Sequence, residues 1–291
     1  MTTLLYGFIY LSLITFLIAC VVRAVRYARL PVNLRWELYP VPHEDARRAG
    51  YGGSYFENLD WWTKPTHANR LGELKAMAAE ILFLHAMYRH NRKLWLWSYP
   101  FHLGLYVLIA TAVAAAAALP IAPLAGILGC VLVMAGTAGL LVHRIGDREL
   151  RNYSAPMDYF NLCFFFATAA CLVLAHGPGP VEVARALLTF NTGLSIPALE
   201  AVAMAMAALL IAYIPMTHMA HFIGKYFAWH AIRWGDQPSR DDRSAAGRLA
   251  GYLAFKPSWS ATHIGADGAT PWSEIVTKNP TASIPEGAKS K

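Results

Sequence analysis

The sequence predicts an all-α, five-helix transmembrane bundle, and three observations carry that expectation. Of 291 residues, 56% are hydrophobic and 15% charged, whereas water-soluble domains carry nearer a quarter charged residues. The apolar residues fall in five long blocks instead of alternating with charge. Of the 25 Lys and Arg, all but Arg185 lie between the first and second blocks, between the third and fourth, or after the fifth. No period recurs and only four cysteines are present, which excludes a repeat solenoid and a disulfide-stapled secreted domain.

A membrane-spanning helix needs about 20 apolar residues. Leu4 to Val22, Leu94 to Leu119, Pro123 to Val142, Tyr159 to Ala175 and Ala201 to Ile223 meet that need. The first lacks a cleavage site before Arg23, Arg26 and Arg29 and reads as a retained helix, not a signal peptide. Between it and the second block, a Pro-punctuated stretch leads into a helical pattern from Leu71 to His90, with Leu74, Met77, Ile81, Leu82, Leu84 and Met87 on its apolar side. That pattern predicts an interfacial helix running into the second span. Trp95, Trp97 and Tyr99 then mark the headgroup level. Pro215, inside the fifth span, reads as a kink. The organisation expected is a first helix over 1–25, a loop with an amphipathic helix over 26–93, a four-helix core over 94–224 and a tail over 225–291.

Cytoplasmic loops retain positive charge, so the N-terminus is expected outside and both basic loops and the C-terminal tail in the cytoplasm, in a multi-pass inner-membrane protein. The same asymmetry accounts for the net charge of +7 and calls for no nucleic acid. Cys20, Cys130, Cys163 and Cys171 lie inside spans with no CxxC pair and are expected to pack as small hydrophobes. In the tail, Trp259, Ile264, Trp272 and Ile275 have no core of their own to enter and are expected to rest on a partner.

Seven of the eleven histidines lie in loops, in the tail or at a helix end: His43, His67, His85, His90, His176, His230 and His263. They read as surface or hydrogen-bonding groups. His102, His143, His218 and His221 are within or bordering spans, where an ionisable side chain needs a partner. At about 1.5 Å per residue, His102 and His221 share one depth on two helices. Two neutral imidazoles facing each other suit the axial positions of a haem iron. His218, three residues from His221, is the rival ligand, and Arg144, Arg148 and Lys225 are candidate partners for haem propionates. Spacing alone leaves open a second reading, histidines that hydrogen-bond between helices without metal.

The segments PFHLGLYVLIATAV, GILGCVLVMAGTAGLLVHR, SAPMDYFNLCFFFATAACLVLA and AALLIAYIPMTHMAHFIGKY resemble the membrane cytochrome b family typified by the respiratory nitrate reductase gamma subunit, over about 130 residues. In that family helix II carries two haem-ligating histidines ten residues apart and helix V two eighteen apart, the last lying six after a proline. His102 and His221 match the inner pair, and His221 lies six residues after Pro215. At the outer positions stand Ala112 and Ala203, neither of which can ligate iron. The resemblance therefore implies one haem b, with a second through His143 and His218 as the remaining alternative.

Segments LRWELYPVPHE, WSYPFHLGLY, KYFAWHAIRWGD and WSATHIGADG resemble the branch associated with heterodisulfide-reductase-like iron–sulfur proteins. That branch includes subunits linked to sulfite reductase and to periplasmic multihaem cytochromes. The resemblance implies an electron-transfer subunit of a quinone-linked oxidoreductase complex. Its partners would be membrane quinone, a cytoplasmic iron–sulfur protein and further membrane or periplasmic cytochrome subunits. The rival from another class is a haem-free membrane anchor or small transporter using the same histidines.

Overall fold

The computed structural model describes residues 2–29, 46–51, 57–58, 70–232, 250–258 and 266–277. The Pro-punctuated stretch after the first helix, His43, His67, Trp259, His263 and Ile264 lie outside the described residues, as does the side chain of His230. In order, the helices are α1 (Thr2–Ala28), α2 (Ala46–Tyr51), α3 (Arg70–Phe83), α4 (His85–His90), α5 (Arg92–Ala116), α6 (Ala122–Gly146), α7 (Arg148–Tyr153), α8 (Pro156–Leu174), α9 (Pro180–Leu188), α10 (Ala198–Tyr213) and α11 (His221–Ile232). The chain divides into two units, Met1–Ala28 with Arg70–Tyr226 and Arg29–Asn69 with Phe227–Lys291.

Five helices of the first unit are long and apolar enough to cross a membrane: α1, α5, α6, α8, and α10 with its short continuation to Met216. The expected all-α, five-span architecture is therefore present. Helix α5 packs on α6, α6 on α8, α8 on α10 and α10 on α1. The central core is Cys130 and Val133 of α6, Phe165 and Ala169 of α8 and Leu210 of α10, with Phe101, Leu105 and Leu108 of α5 against it. All four cysteines are free. The buried threonines are satisfied by their own helices: Thr111, Thr137 and Thr168 each donate to the carbonyl four residues back.

Helices in lipid approach closely where small residues line the contact, and α5 against α6 follows that rule. A Cβ added at Gly104 would lie 2.7 Å from the Val133 nitrogen, and one at Gly136 2.5 Å from the Phe101 nitrogen. Both contacts are with backbone, so α5 is held directly on α6 with Phe101 fixed between them.

Three local departures from the sequence reading matter. The helix expected from Leu71 to His90 is two helices, broken at Leu84, whose φ of 50° and ψ of 48° are left-handed. For a residue with a Cβ that conformation costs about 1–2 kcal/mol; burial of the Leu84 side chain offsets it. The fifth span is interrupted, not merely kinked. Regular helix ends at Tyr213, two 3-10 turns cover Ile214–Met216 and His218–Ala220, and α11 begins at His221. Pro215 lacks the N–H that would continue the ladder, and the Thr217 hydroxyl accepts the Met219 N–H instead.

The third departure lies at the opposite end of the bundle, in the loop around Arg185, which contains α9. Pro180 opens it, with Glu182 in its first turn and Arg185 in its last, charges placed to suit the helix dipole. It packs on α5, while Ala186 enters a cluster with Leu5, Tyr6 and Ile9 of α1, Ala208 of α10, and Ile196 from the loop before α10. Ala203 of α10 is completely buried.

In the second unit, the Trp272 N–H donates to the Phe255 carbonyl and the Gly268 N–H to that of Pro257. Pro257, Ala266 and Ile275 are buried. The expectation that Ile275 has no internal core to enter is therefore corrected: on the short helix Trp272–Thr277 it is buried.

Candidate functional site: a histidine pair across the bundle

His102 and His221 come together as the sequence led us to expect, with ring centroids 6.1 Å apart and ring planes at 69°. His102 lies on α5 beside Phe101, whose ring meets it edge-on at 5.1 Å. Phe101 is in turn edge-on to Phe165 at 5.0 Å, so the close α5–α6 packing fixes the imidazole. Its Nδ1 is 2.7 Å from the Ser98 carbonyl and 3.3 Å from the Ser98 hydroxyl. A proton on Nδ1 donates to that carbonyl, which directs the lone pair of Nε2 away from its own helix. This is the arrangement that orients metal-ligating imidazoles. His221 is exposed as the first residue of α11.

An imidazole–metal bond is about 2 Å, and a ring centroid lies about 1.1 Å behind its nitrogen, so two rings facing across one metal have centroids roughly 6 Å apart. The observed separation fits that distance. Among the described residues, no three His, Cys, Asp or Glu side chains gather as a metal site. A haem asks less of the protein, because the porphyrin supplies four nitrogens and the chain only the two axial ligands. The donor set at His102 and His221 therefore fits a haem iron and not a metal ligated by protein alone.

The surroundings tie the basic loop to this pair. Lys225, one turn beyond His221, lies 2.5 Å from Glu80 of α3, and its charge bears on both imidazoles. Glu80 also accepts the Ala86 N–H at 2.8 Å. The Trp95 indole donates to the Phe83 carbonyl and the Tyr106 hydroxyl to that of Ile81. The elbow at Leu84 is therefore fastened to α5 and α11 on either side of the histidines.

The other sequence candidates are placed elsewhere. His218 Nε2 is 3.2 Å from Asp158 Oδ1 and 3.5 Å from Asn161 Nδ2, both on α8. Arg144 donates to the Ser154 hydroxyl at 2.7 Å and lies 3.8 Å from Asp158, so its nearest anion is a carboxylate of the protein. Arg148 is exposed at the start of α7. His143 interacts with Asp147, and no hydrogen bond, ion pair or ring contact joins it to His218. The cation brought to the histidine pair is Lys225.

Sequence reasoning missed Ser98, Glu80, Asp158, Asn161 and Tyr213. Asn161 was open to detection, since a polar residue inside an apolar span needs a partner. Asp158, following Pro156 at a helix start, reads locally as a first-turn acid, and indeed its carboxylate accepts the Ala155 N–H. Comparison with protein-family models, curated proteins and solved structures gives no match to this chain.

Proposed function

We propose that this protein is the haem b subunit of an inner-membrane respiratory complex, passing electrons between membrane quinone and a cytoplasmic iron–sulfur protein of the heterodisulfide-reductase-like class. The observation that carries the reading is the 6.1 Å separation of the His102 and His221 rings, with Ser98 setting the tautomer of one of them. The haem, when bound, supplies the one-electron chemistry. The chain's residues do the rest. His102 and His221 give the axial nitrogens, Phe101 and Phe165 wall the α5 side, and Lys225 offsets negative charge on the basic side. The close-packed α5–α6 pair holds His102 in register. Under this reading the basic loops face the cytoplasm, since the opposite orientation would translocate all but one of the chain's 25 Lys and Arg. The role is electron transfer, and the net reaction belongs to the complex.

The test is the dithionite-reduced minus oxidised absorption spectrum of the purified protein, with pyridine haemochrome measured against protein. The expectation is one haem b per chain, because Ala112 and Ala203 have no lone pair to offer. Two haems per chain would bring back His143 and His218 as a second pair. A second reading, a haem-free transporter, draws on the interruption of the helix at Pro215, since broken spans line binding sites in transporters. Such breaks come in pairs there, and among the described residues no other spanning helix is broken; a colourless protein would favour it nonetheless.

A further inference from the structure

Glu80 is on α3, but its carboxylate serves two other elements. Oε1 lies 2.5 Å from Lys225 Nζ of α11, and Oε2 accepts the Ala86 N–H at 2.8 Å across the left-handed break at Leu84. The pair is sheltered on one side, with 12% of the Glu80 side chain exposed and 40% of that of Lys225. Water therefore screens the carboxylate less than it would a surface group. Lys225 follows His221 by one turn of regular helix, so the two side chains leave α11 on the same side. Its charge bears on both His102 and His221. The anion that meets this cation comes from 145 residues earlier in the chain. Its place does not depend on Lys225 alone, because the Trp95 indole and the Tyr106 hydroxyl also hold the carbonyls of Phe83 and Ile81 on either side of it.

We propose that Glu80 is a positioning residue that sets the reduction potential of the His102–His221 centre, by holding Lys225 and offsetting its charge. The inference rests on the haem reading of that pair. Reduction of a haem iron adds one electron and no atom, so a nearby cation favours the reduced form and a nearby anion the oxidised one. An ion pair places both charges side by side, and the centre then meets a dipole in place of a full charge. The potential is held below the value that Lys225 alone would give. A protein tunes such a centre through its axial ligands, their hydrogen bonds and the charge around them. Here the histidines supply the first and Ser98 the second. Glu80, carried by the elbow at Leu84, governs the third.

The experiment is a potentiometric titration of the purified full chain with dithionite, followed by the absorption of the reduced haem. It compares the unsubstituted protein with Glu80→Gln, Lys225→Gln and the double substitution. A glutamine at position 80 can still accept the Ala86 N–H, so the elbow is kept while the charge is removed. The midpoint is expected to rise in Glu80→Gln, to fall in Lys225→Gln, and to return close to the unsubstituted value when both are replaced. The absorption bands should keep their positions throughout. Loss of a packing contact alone has no such opposition of sign. Shifts of one sign in both single variants would overturn the proposal, as would a double variant displaced further than either single one. Taking one partner from a sheltered ion pair strands the other charge; if a single variant does not fold, the sign of the shift in the other decides, with the double variant as reference. Absence of haem bands from the unsubstituted protein would refute the haem reading and this inference with it. Haem bands whose midpoints do not move in any variant would overturn this inference and leave that reading standing.

Discussion

His218 and His221, three residues apart, serve different neighbours: His218 meets Asp158 on α8 at 3.2 Å, while His221 faces His102 on α5 at 6.1 Å between ring centroids. In an unbroken helix that spacing sets both side chains towards one side. Here the backbone passes through two 3-10 turns around Pro215 before α11 starts at His221, and the regular argument no longer applies. The two histidines are divided between the pairing with His102, proposed above as an axial-ligand site, and contact with Asp158.

That division gives the first prediction. His102→Ala and His221→Ala should each abolish haem binding, whereas His218→Gln should leave the haem content of the purified protein near one per chain. Haem retained in His221→Ala and lost in His218→Gln would exchange their assignments.

The fold was legible because its causes are local. Long apolar blocks dictate spans, and each of the five overlaps its expected place, although the first runs on to Ala28 and the fifth ends at Met216 instead of Ile223. The depth of the histidine pair was also legible, since rise per residue needs only counting. What the sequence hid depends on contacts between distant segments. Leu84 carries no sign of a left-handed break; the break is stabilised by Glu80, Phe83 and Ile81 meeting Lys225, Trp95 and Tyr106. Asp158 looks like a first-turn acid until His218 and Arg144 arrive from two other elements. Arg144 was expected to serve a propionate for the same reason: its charge was visible, but Ser154 and Asp158 were not yet beside it. The weight of Pro215 was underestimated because a proline's missing donor is visible in sequence, while the two turns that absorb its effect are not.

The close approach of α5 and α6 gives a second prediction. Gly136→Ala places a methyl 2.5 Å from the backbone nitrogen of Phe101, and backbone cannot swing aside as a flexible side chain can. Overpacking of this kind costs about 1–3 kcal/mol. Because Phe101 abuts His102, the strain should reach the haem site. The expected outcome is a lower midpoint of thermal unfolding in detergent together with reduced haem occupancy. Gly146→Ala, where an added Cβ meets nothing within 4 Å, is the control and should change neither.

Orientation gives a third. With the basic loops inside, a reporter active only outside the cytoplasm should be active when fused at the N-terminus or inserted near Gly193, and inactive when fused at the C-terminus. The charge asymmetry is the reason, since Arg185 alone among the Lys and Arg lies on the other side. Activity of the C-terminal fusion would reverse the bundle and with it the side on which the proposed iron–sulfur partner would dock.

The tail gives the last. Ile275, Ala266 and Pro257 are buried, and backbone hydrogen bonds join Trp272 to Phe255 and Gly268 to Pro257, so the tail is more than a solvated end. Tyr252, Phe255 and Val276 remain exposed at 56%, 59% and 55%. Burying an aliphatic or aromatic side chain at an interface contributes roughly 1.5–3 kcal/mol, and each 1.4 kcal/mol is about tenfold in affinity. Two such groups can therefore decide whether a partner survives solubilisation. Phe255→Ser with Val276→Ser should lower the yield of co-purifying iron–sulfur protein at least tenfold, as should truncation after Phe255. Haem content should stay intact in both, because His102 and His221 precede the tail and belong to the other unit. The double substitution spares Ile275 and Pro257, so it separates loss of a docking surface from loss of the tail's own packing. A partner recovered in full yield from the truncated protein would assign docking to the inner loops alone.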